Sequence, residues 1–243
     1  MAYDYIEGKK RAQNILDNNA DIKESTTIPK DDSNFTYDNG VRSWIGSIFI
    51  DIIGSTEIIK KQNDIVVAKI LRSFTSEVIA VLNTSDNVRQ IGVRGDCVYG
   101  IYSTPYQPDI YDLFNLSAML CTLVDMLNKL YFKKTYPTIK VGIGVAVGKD
   151  LIIKAGQKGT RINDRIWIGD AVVDACNIAN KSGRNGKQNV GFSSLAYDNF
   201  IEQLEKVHEG TNVKNWFSYD MYSGIYYASL RVKEFEDWID NNI

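Results

Sequence analysis

Ser47-Ile48-Phe49-Ile50-Asp51-Ile52-Ile53-Gly54-Ser55-Thr56 is an apolar, β-prone run interrupted by one carboxylate and closed by a glycine turn. It reads as a buried strand followed by a tight turn and the first residues of a helix. Ile65, Val66, Ile70, Leu71, Phe74, Val78, Val81 and Leu82 then recur at three- and four-residue spacing, one face of a helix. Next come two β-rich runs, Val88–Arg94 and 97–102, parted only by Gly95-Asp96, the signature of a two-residue hairpin. A second helix over 109–132 and a β-rich run over 139–147 complete the order β-α-β-β-α-β. The fold class expected is α+β of ferredoxin-like (βαββαβ) order, an antiparallel sheet with helices on one face.

Outward from this core, the C-terminal part holds shorter pieces. Strands are expected near 151–155, 165–168 and 190–193, and a helix over 170–181. On the N-terminal side, residues 2–19 read as a polar, weakly amphipathic helix. Residues 20–42, rich in Asp, Asn, Ser and Thr with few large apolar groups, read as a linker or extended arm. The expected organisation is an N-terminal helix and extended arm over 1–43 and a main domain with a C-terminal extension over 44–243.

Composition narrows the function classes. Hydrophobic residues make up 44% of the 243, enough for a sizeable core. Lys and Arg number 28 against 30 Asp and Glu, so nothing electrostatic points to nucleic acid or to an anionic membrane. Cys97, Cys121 and Cys176 lack metal-ligand spacing, and with His208 as the one histidine neither a zinc site nor a His-dependent triad is expected. The first ten residues are not a signal peptide. The most apolar stretch, 110–132, is broken by Asp112, Asn115, Asp125, Asn128 and Lys129, as in a buried helix rather than a membrane span. A cytoplasmic protein is expected.

Two carboxylates carry the chemical argument. In this element order the end of the first strand lies beside the connection between the second and third, so Asp51 and Asp96 should meet at one end of the sheet. Paired carboxylates there suit two divalent cations, Mn²⁺ or Mg²⁺, which neutralise a triphosphate and activate an attacking oxygen. The plainer readings are that Asp51 caps the following helix and that Asp96 is an ordinary turn residue. Gly54-Ser55-Thr56 offers backbone amides and a helix N-terminus to a phosphate, or is merely a cap. Gly142, Gly144 and Gly148 lie within a strand pattern rather than a strand-to-helix turn, so close packing of a helix explains them better than a dinucleotide fingerprint. Arg161, Arg165, Trp167, Arg184 and Lys187 are the basic and aromatic groups available to a triphosphate.

These stretches resemble the class III nucleotidyl cyclases. Phe49-Ile50-Asp51-Ile52-Ile53-Gly54-Ser55-Thr56 is similar to the family's first metal motif and Gly95-Asp96-Cys97-Val98-Tyr99 to its second. Val141-Gly142-Ile143-Gly144, Gly148, Ala155-Gly156 and Ile168-Gly169-Asp170-Ala171-Val172 resemble later family stretches in the right order. The resemblance implies a palm-type cyclase domain in which Asp51, Asp96 and the Ile52 carbonyl hold the metals. Ile53, Gly54, Ser55 and Thr56 would bind the β- and γ-phosphates of a nucleoside triphosphate. It also implies a homodimer with sites at its interface.

Departures from the family pattern bear on the substrate. The position four residues before Asp96, where purine cyclases carry a base-reading Lys or Glu, is Gly92, and a second base-reading position falls near Ile166. The family's asparagine and transition-state arginine fall on Val173 and Asn177, which leaves Arg165, or else Arg161 or Arg184, to supply the catalytic cation. In these respects the chain resembles the Pycsar pyrimidine cyclases of bacterial antiphage defence, whose cyclic UMP or cyclic CMP acts on a separate effector. Gly92 leaves room for a base, and Arg94, expected on the same side of the strand as Gly92 and Asp96, would read a pyrimidine carbonyl. Two alternatives stand beside this reading: an adenylate or guanylate cyclase with relocated base contacts, and an inactive nucleotide-binding or dimerisation module.

Overall fold

Apolar alternation on the strand that carries Asp51 sets the sheet. In the computed structural model, which describes residues 2–157 and 163–243, this strand is β2 (Asn39–Ile52). Before it come α1 (Tyr5–Leu16) and β1 (Asp21–Glu24). After it come α2 (Ser55–Lys61), α3 (Asp64–Leu82), β3 (Val88–Arg94), β4 (Cys97–Ser103), α4 (Gln107–Lys133) and β5 (Val141–Gly156). The chain continues through β6 (Asn163–Ile168), α5 (Asp170–Lys181), β7 (Val190–Ser193), α6 (Ser194–Val207), β8 (Phe217–Asp220), β9 (Ile225–Ala228) and α7 (Lys233–Asn242). The sheet order is β3-β4-β2-β5-β7-β9-β8, with β1 beside β2 and β6 beside β5. The four strands β2 to β5 thus have the expected ferredoxin-like arrangement. The sheet is mixed, because β1 with β2 and β5 with β7 run parallel.

Period-two alternation gives this sheet two different faces. Ile48, Ile50 and Ile52 of β2 and Ile143, Val145 and Val147 of β5 pack under α3 and α4 in the main core. Phe49 and Ala146 point the other way and pack against Ala175, Ile178 and Ala179 of α5. Helices therefore lie on both faces, a correction to the one-faced expectation. The reason is the small-residue face of β5: a Cβ on Gly144 would lie 2.0 Å from the Ala175 carbonyl oxygen, so α5 rests directly on the strand.

The two strands expected at 139–147 and 151–155 are one 16-residue strand, β5. Gly148-Lys149-Asp150 has the composition of a break, yet Asp150 is buried and its carboxylate accepts from the Ala171 amide at 3.3 Å. It serves as a cap for α5, whose own N-cap residue, Gly169, has no side chain to do so. The stretch 20–42 likewise contributes structure. β1 pairs with Asn39–Arg42 at the start of β2, and Ile28 and Phe35, each 3% exposed, join Ile45, Ile101 and Ile152 in a satellite core. Two well-placed apolar side chains anchor a segment whose composition is that of a linker. Among the described residues α4 is the helix long and apolar enough to cross a membrane, and it is mostly buried between α3, α6 and the sheet.

Gly144→Ala should destabilise the fold by about 1–3 kcal/mol, because its methyl meets backbone that cannot rotate away. Chemical denaturation would measure this; an unchanged midpoint would mean that α5 does not rest on β5.

Candidate active site

β2 and β4 run antiparallel with Asp51 opposite Cys97, so Asp96 lies one residue beyond the last pair, in the turn joining β3 to β4. Gly95 makes that turn with φ +66°, while Asp96 keeps a negative φ, the pattern of a type II′ hairpin. Asp51 and Asp96 thereby come to one end of the sheet. Asp51 is half-buried, and its carboxyl is held above the ordinary range, first by burial and then by the charge of Asp96. The Arg184 guanidinium opposes both, donating to the Asp51 carboxylate at 3.0 Å. Asp51 does not cap α2: the N-cap there is Gly54, with no side-chain cap bond.

The turn after Asp51 divides its backbone groups. The Ile53 amide, expected at a phosphate, donates in this structure to the Lys140 carbonyl at 2.8 Å, one residue before β5. By the alternation of an antiparallel ladder, Ile52 turns its carbonyl the opposite way, toward β4 and level with Asp96. The amides of Gly54, Ser55 and Thr56 open α2, where no preceding helical turn supplies carbonyls. Gly54 takes φ +72° and faces open space.

A groove of about 800 Å³ leads from Asp51 between the sheet and α5, lined by Phe49, Arg94, Tyr99, Trp167 and Asn177. Arg94, Val173 and Asn177 are exposed along it. The room expected at Gly92 is taken: a Cβ there would lie 2.3 Å from the ring of Tyr99, which stacks on Phe49 with centroids 5.1 Å apart. Gly92 and Arg94 belong to β3, whereas Asp96 stands beyond it in the turn. Trp167 crosses from β6 to donate to Gln90. Arg165, 7% exposed, lines the far end, and its guanidinium donates to the Pro29 and Lys30 carbonyls and packs over the rings of Phe35 and Trp167. The groove thus gathers Asp51, Arg94 and Asn177, while Arg165 is engaged with the N-terminal arm. Arg161 lies outside the described residues. A cavity of about 820 Å³ beside α3, α4 and α7 has Glu77, Asp86 and Asp112 and, among the described residues, no Lys or Arg in its lining, the wrong charge for a triphosphate.

Among the described residues no three His, Cys, Asp or Glu side chains converge as a metal cage. The donor set still fits Mg²⁺ or Mn²⁺: two hard carboxylates and the directed Ile52 carbonyl, with phosphate and water to complete the shell. Sequence reasoning named Arg184 only as one of three possible cations and passed over Tyr99. The signal for Arg184 was present in Gly183-Arg184-Asn185-Gly186, a glycine-bounded loop immediately after α5.

The sequence profile described as "Adenylate and Guanylate cyclase catalytic domain" matches residues 41–211. A uridylate cyclase of Treponema porcinum is 39% identical over 243 residues, covering 100% of this chain and 83% of that protein. A uridylate cyclase of Gulbenkiania mobilis is 28% identical, covering 99% and 97%. The crystal structure of the adenylyl cyclase CyaB from P. aeruginosa superposes with a TM-score of 0.62 at 16% identity, covering 80% of this chain and 97% of that one, a likeness of fold.

Beside these carboxylates the Cys97 thiol is pushed up to about 12, by burial first and then by the charge of Asp51. In a Cys176→Ala background at pH 8, Cys97 should react with an aromatic disulfide reagent at least about tenfold more slowly than an ordinary thiol, because its lower thiolate fraction outweighs the greater nucleophilicity of a high-pKa thiolate. Labelling at the rate of a free thiol would refute this placement.

Proposed function

This chain belongs to the adenylate and guanylate cyclase catalytic-domain family, and we propose that it converts UTP into 3′,5′-cyclic UMP and pyrophosphate. The observation that carries the reading is the Asp51–Asp96 pair at the sheet end, in a chain 39% identical over its full length to a uridylate cyclase. In this reaction the 3′ oxygen forms a bond to the α-phosphorus and gives up its proton to solvent. The α–β bridging bond breaks, and its electron pair leaves with pyrophosphate.

Asp51, Asp96 and the Ile52 carbonyl would hold two divalent cations, which when bound supply positive charge to the triphosphate and lower the pKa of the 3′ hydroxyl. The Gly54, Ser55 and Thr56 amides donate to terminal phosphate oxygens at the mouth of α2. Phe49 and Tyr99 give the groove an apolar wall for the base. Arg94 presents a fork of donors, and uracil offers carbonyl oxygens where adenine has none. Arg165 acts from behind, fixing Trp167 against the arm. Asn177 lies on the α5 face where a second copy of the chain would complete each site in a symmetric homodimer. The product leaves as a diffusible signal for a separate effector, in the manner of antiphage signalling.

Asp51→Ala and Asp96→Ala should each stay folded and lose at least about a hundredfold in kcat with UTP and Mn²⁺, on the scale of losing a transition-state charge contact. Near-normal turnover in either variant would remove the metal assignment. Arg94→Ala should lower kcat/KM for UTP while leaving ATP unchanged, narrowing the ratio about tenfold, the scale of losing one hydrogen bond to a charged group. A ratio equal to that of the unmodified chain would take Arg94 out of base recognition.

A further inference from the structure

Arg184 is placed with more care than a surface ion pair requires. It sits in the short connection from α5 to β7, where Gly183, Asn185 and Gly186 all adopt positive φ. The connection is closed by the Gly183 amide on the Gln188 carbonyl at 2.8 Å and the Lys187 amide on the Arg184 carbonyl at 3.0 Å. One end nitrogen of the guanidinium donates to the carbonyls of Ala179 and Ser182, at 3.0 and 3.3 Å, at the C-terminal end of α5. The other reaches Asp51 at 3.0 Å.

The route to Asp51 exists because Gly142, its register partner on β5, has no side chain. A Cβ there would lie 2.9 Å from the Arg184 nitrogen and 2.2 Å from the Ala179 carbonyl oxygen. The same connection touches the phosphate turn: a Cβ on Gly183 would meet Ile53 at 2.7 Å. Arg184 thus reaches Asp51 from a connection in which the preceding residue, Gly183, packs on the Ile53 side chain. Among the described ion pairs it is the cation in contact with either site carboxylate.

We propose that Arg184 is the catalytic cation of this site and exchanges partners during the cycle. Without nucleotide it is the ion-pair partner of Asp51, donating to that carboxylate at 3.0 Å. With Asp51 committed to the divalent cations it would hold, the guanidinium would lose that partner beside an incoming triphosphate. Two of its carbonyl contacts hold its base in place while the freed nitrogen donates to the β-phosphate oxygens. As the α–β bond breaks, the electron pair and new charge appear on pyrophosphate, where a planar fork of donors is strongest. No proton moves through Arg184. This gives the chain, in cis, the positive charge missing where the family's arginine position holds Asn177. The proposal rests on the cyclase reading above.

The test reads two quantities whose directions oppose. Mn²⁺ binding to the nucleotide-free protein is followed by electron paramagnetic resonance, and turnover is measured with whichever of the four nucleoside triphosphates the unmodified chain uses fastest. Removing Arg184 should free Asp51 for the cation while removing the charge that the leaving group needs. Arg184→Ala should therefore bind Mn²⁺ at least about threefold more tightly and lose at least about thirtyfold in kcat, with Arg184→Lys recovering part of the turnover. A merely structural role would weaken both, and a passive counter-ion would tighten binding and leave kcat within about threefold. Either result overturns the proposal. The Mn²⁺ measurement needs no nucleotide, so its failure is separate from any error in the choice of UTP.

Discussion

Two carboxylates must be kept side by side at the end of one sheet, and the chain has to offset their repulsion before any ligand arrives. Burial and Asp96 both push the Asp51 carboxyl upward, and Arg184 pulls it back. Each participant comes from a different element: the end of β2, the tip of the β3–β4 hairpin, and the loop after α5. The site is therefore a test of tertiary register. A one-residue slip of β2 against β4 would turn Asp51 to the face of Ile48 and Ile50 and away from Asp96.

The third participant, Arg184, is placed by how α5 lies on the sheet. Gly142, Gly144 and Ala146 present backbone and methyls where other strands present large side chains, so α5 approaches closely enough for its C-terminal carbonyls to hold Arg184. Asp150 holds the other end of the same helix at the Ala171 amide. The small-residue face thus does for the site what the isoleucine face does for the core: it sets a distance. Function enters at the C-terminal end, where the helix, the glycine-bounded loop and Asp51 converge.

Much of this was legible in the sequence. Isoleucines alternating around Asp51 and the Gly95-Asp96 break gave the strand order and the meeting of the carboxylates, since both follow from local periodicity and turn chemistry. The packing role of the β5 glycines was legible for the same reason. What was not legible depended on contacts between distant segments. Gly92 reads as empty space until Tyr99, seven residues on, is folded back over it. The pairing of the Ile53 amide with the Lys140 carbonyl has no mark in the local sequence. Arg165 and Arg184 are equivalent basic residues in sequence, and only the fold commits one to the arm carbonyls and the other to Asp51. Gly148-Lys149-Asp150 carried the composition of a loop because a buried carboxylate capping a remote helix leaves no local signature.

The most direct measurement is a crystal structure of the protein with Mn²⁺ and a UTP analogue that cannot cyclise, with the metal located by anomalous scattering. The account predicts anomalous peaks held between Asp51 and Asp96, phosphates at the Gly54–Thr56 turn, and the Arg184 guanidinium moved from Asp51 to the β-phosphate. Metal or nucleotide bound elsewhere, with Asp51 and Asp96 uncoordinated, would contradict it.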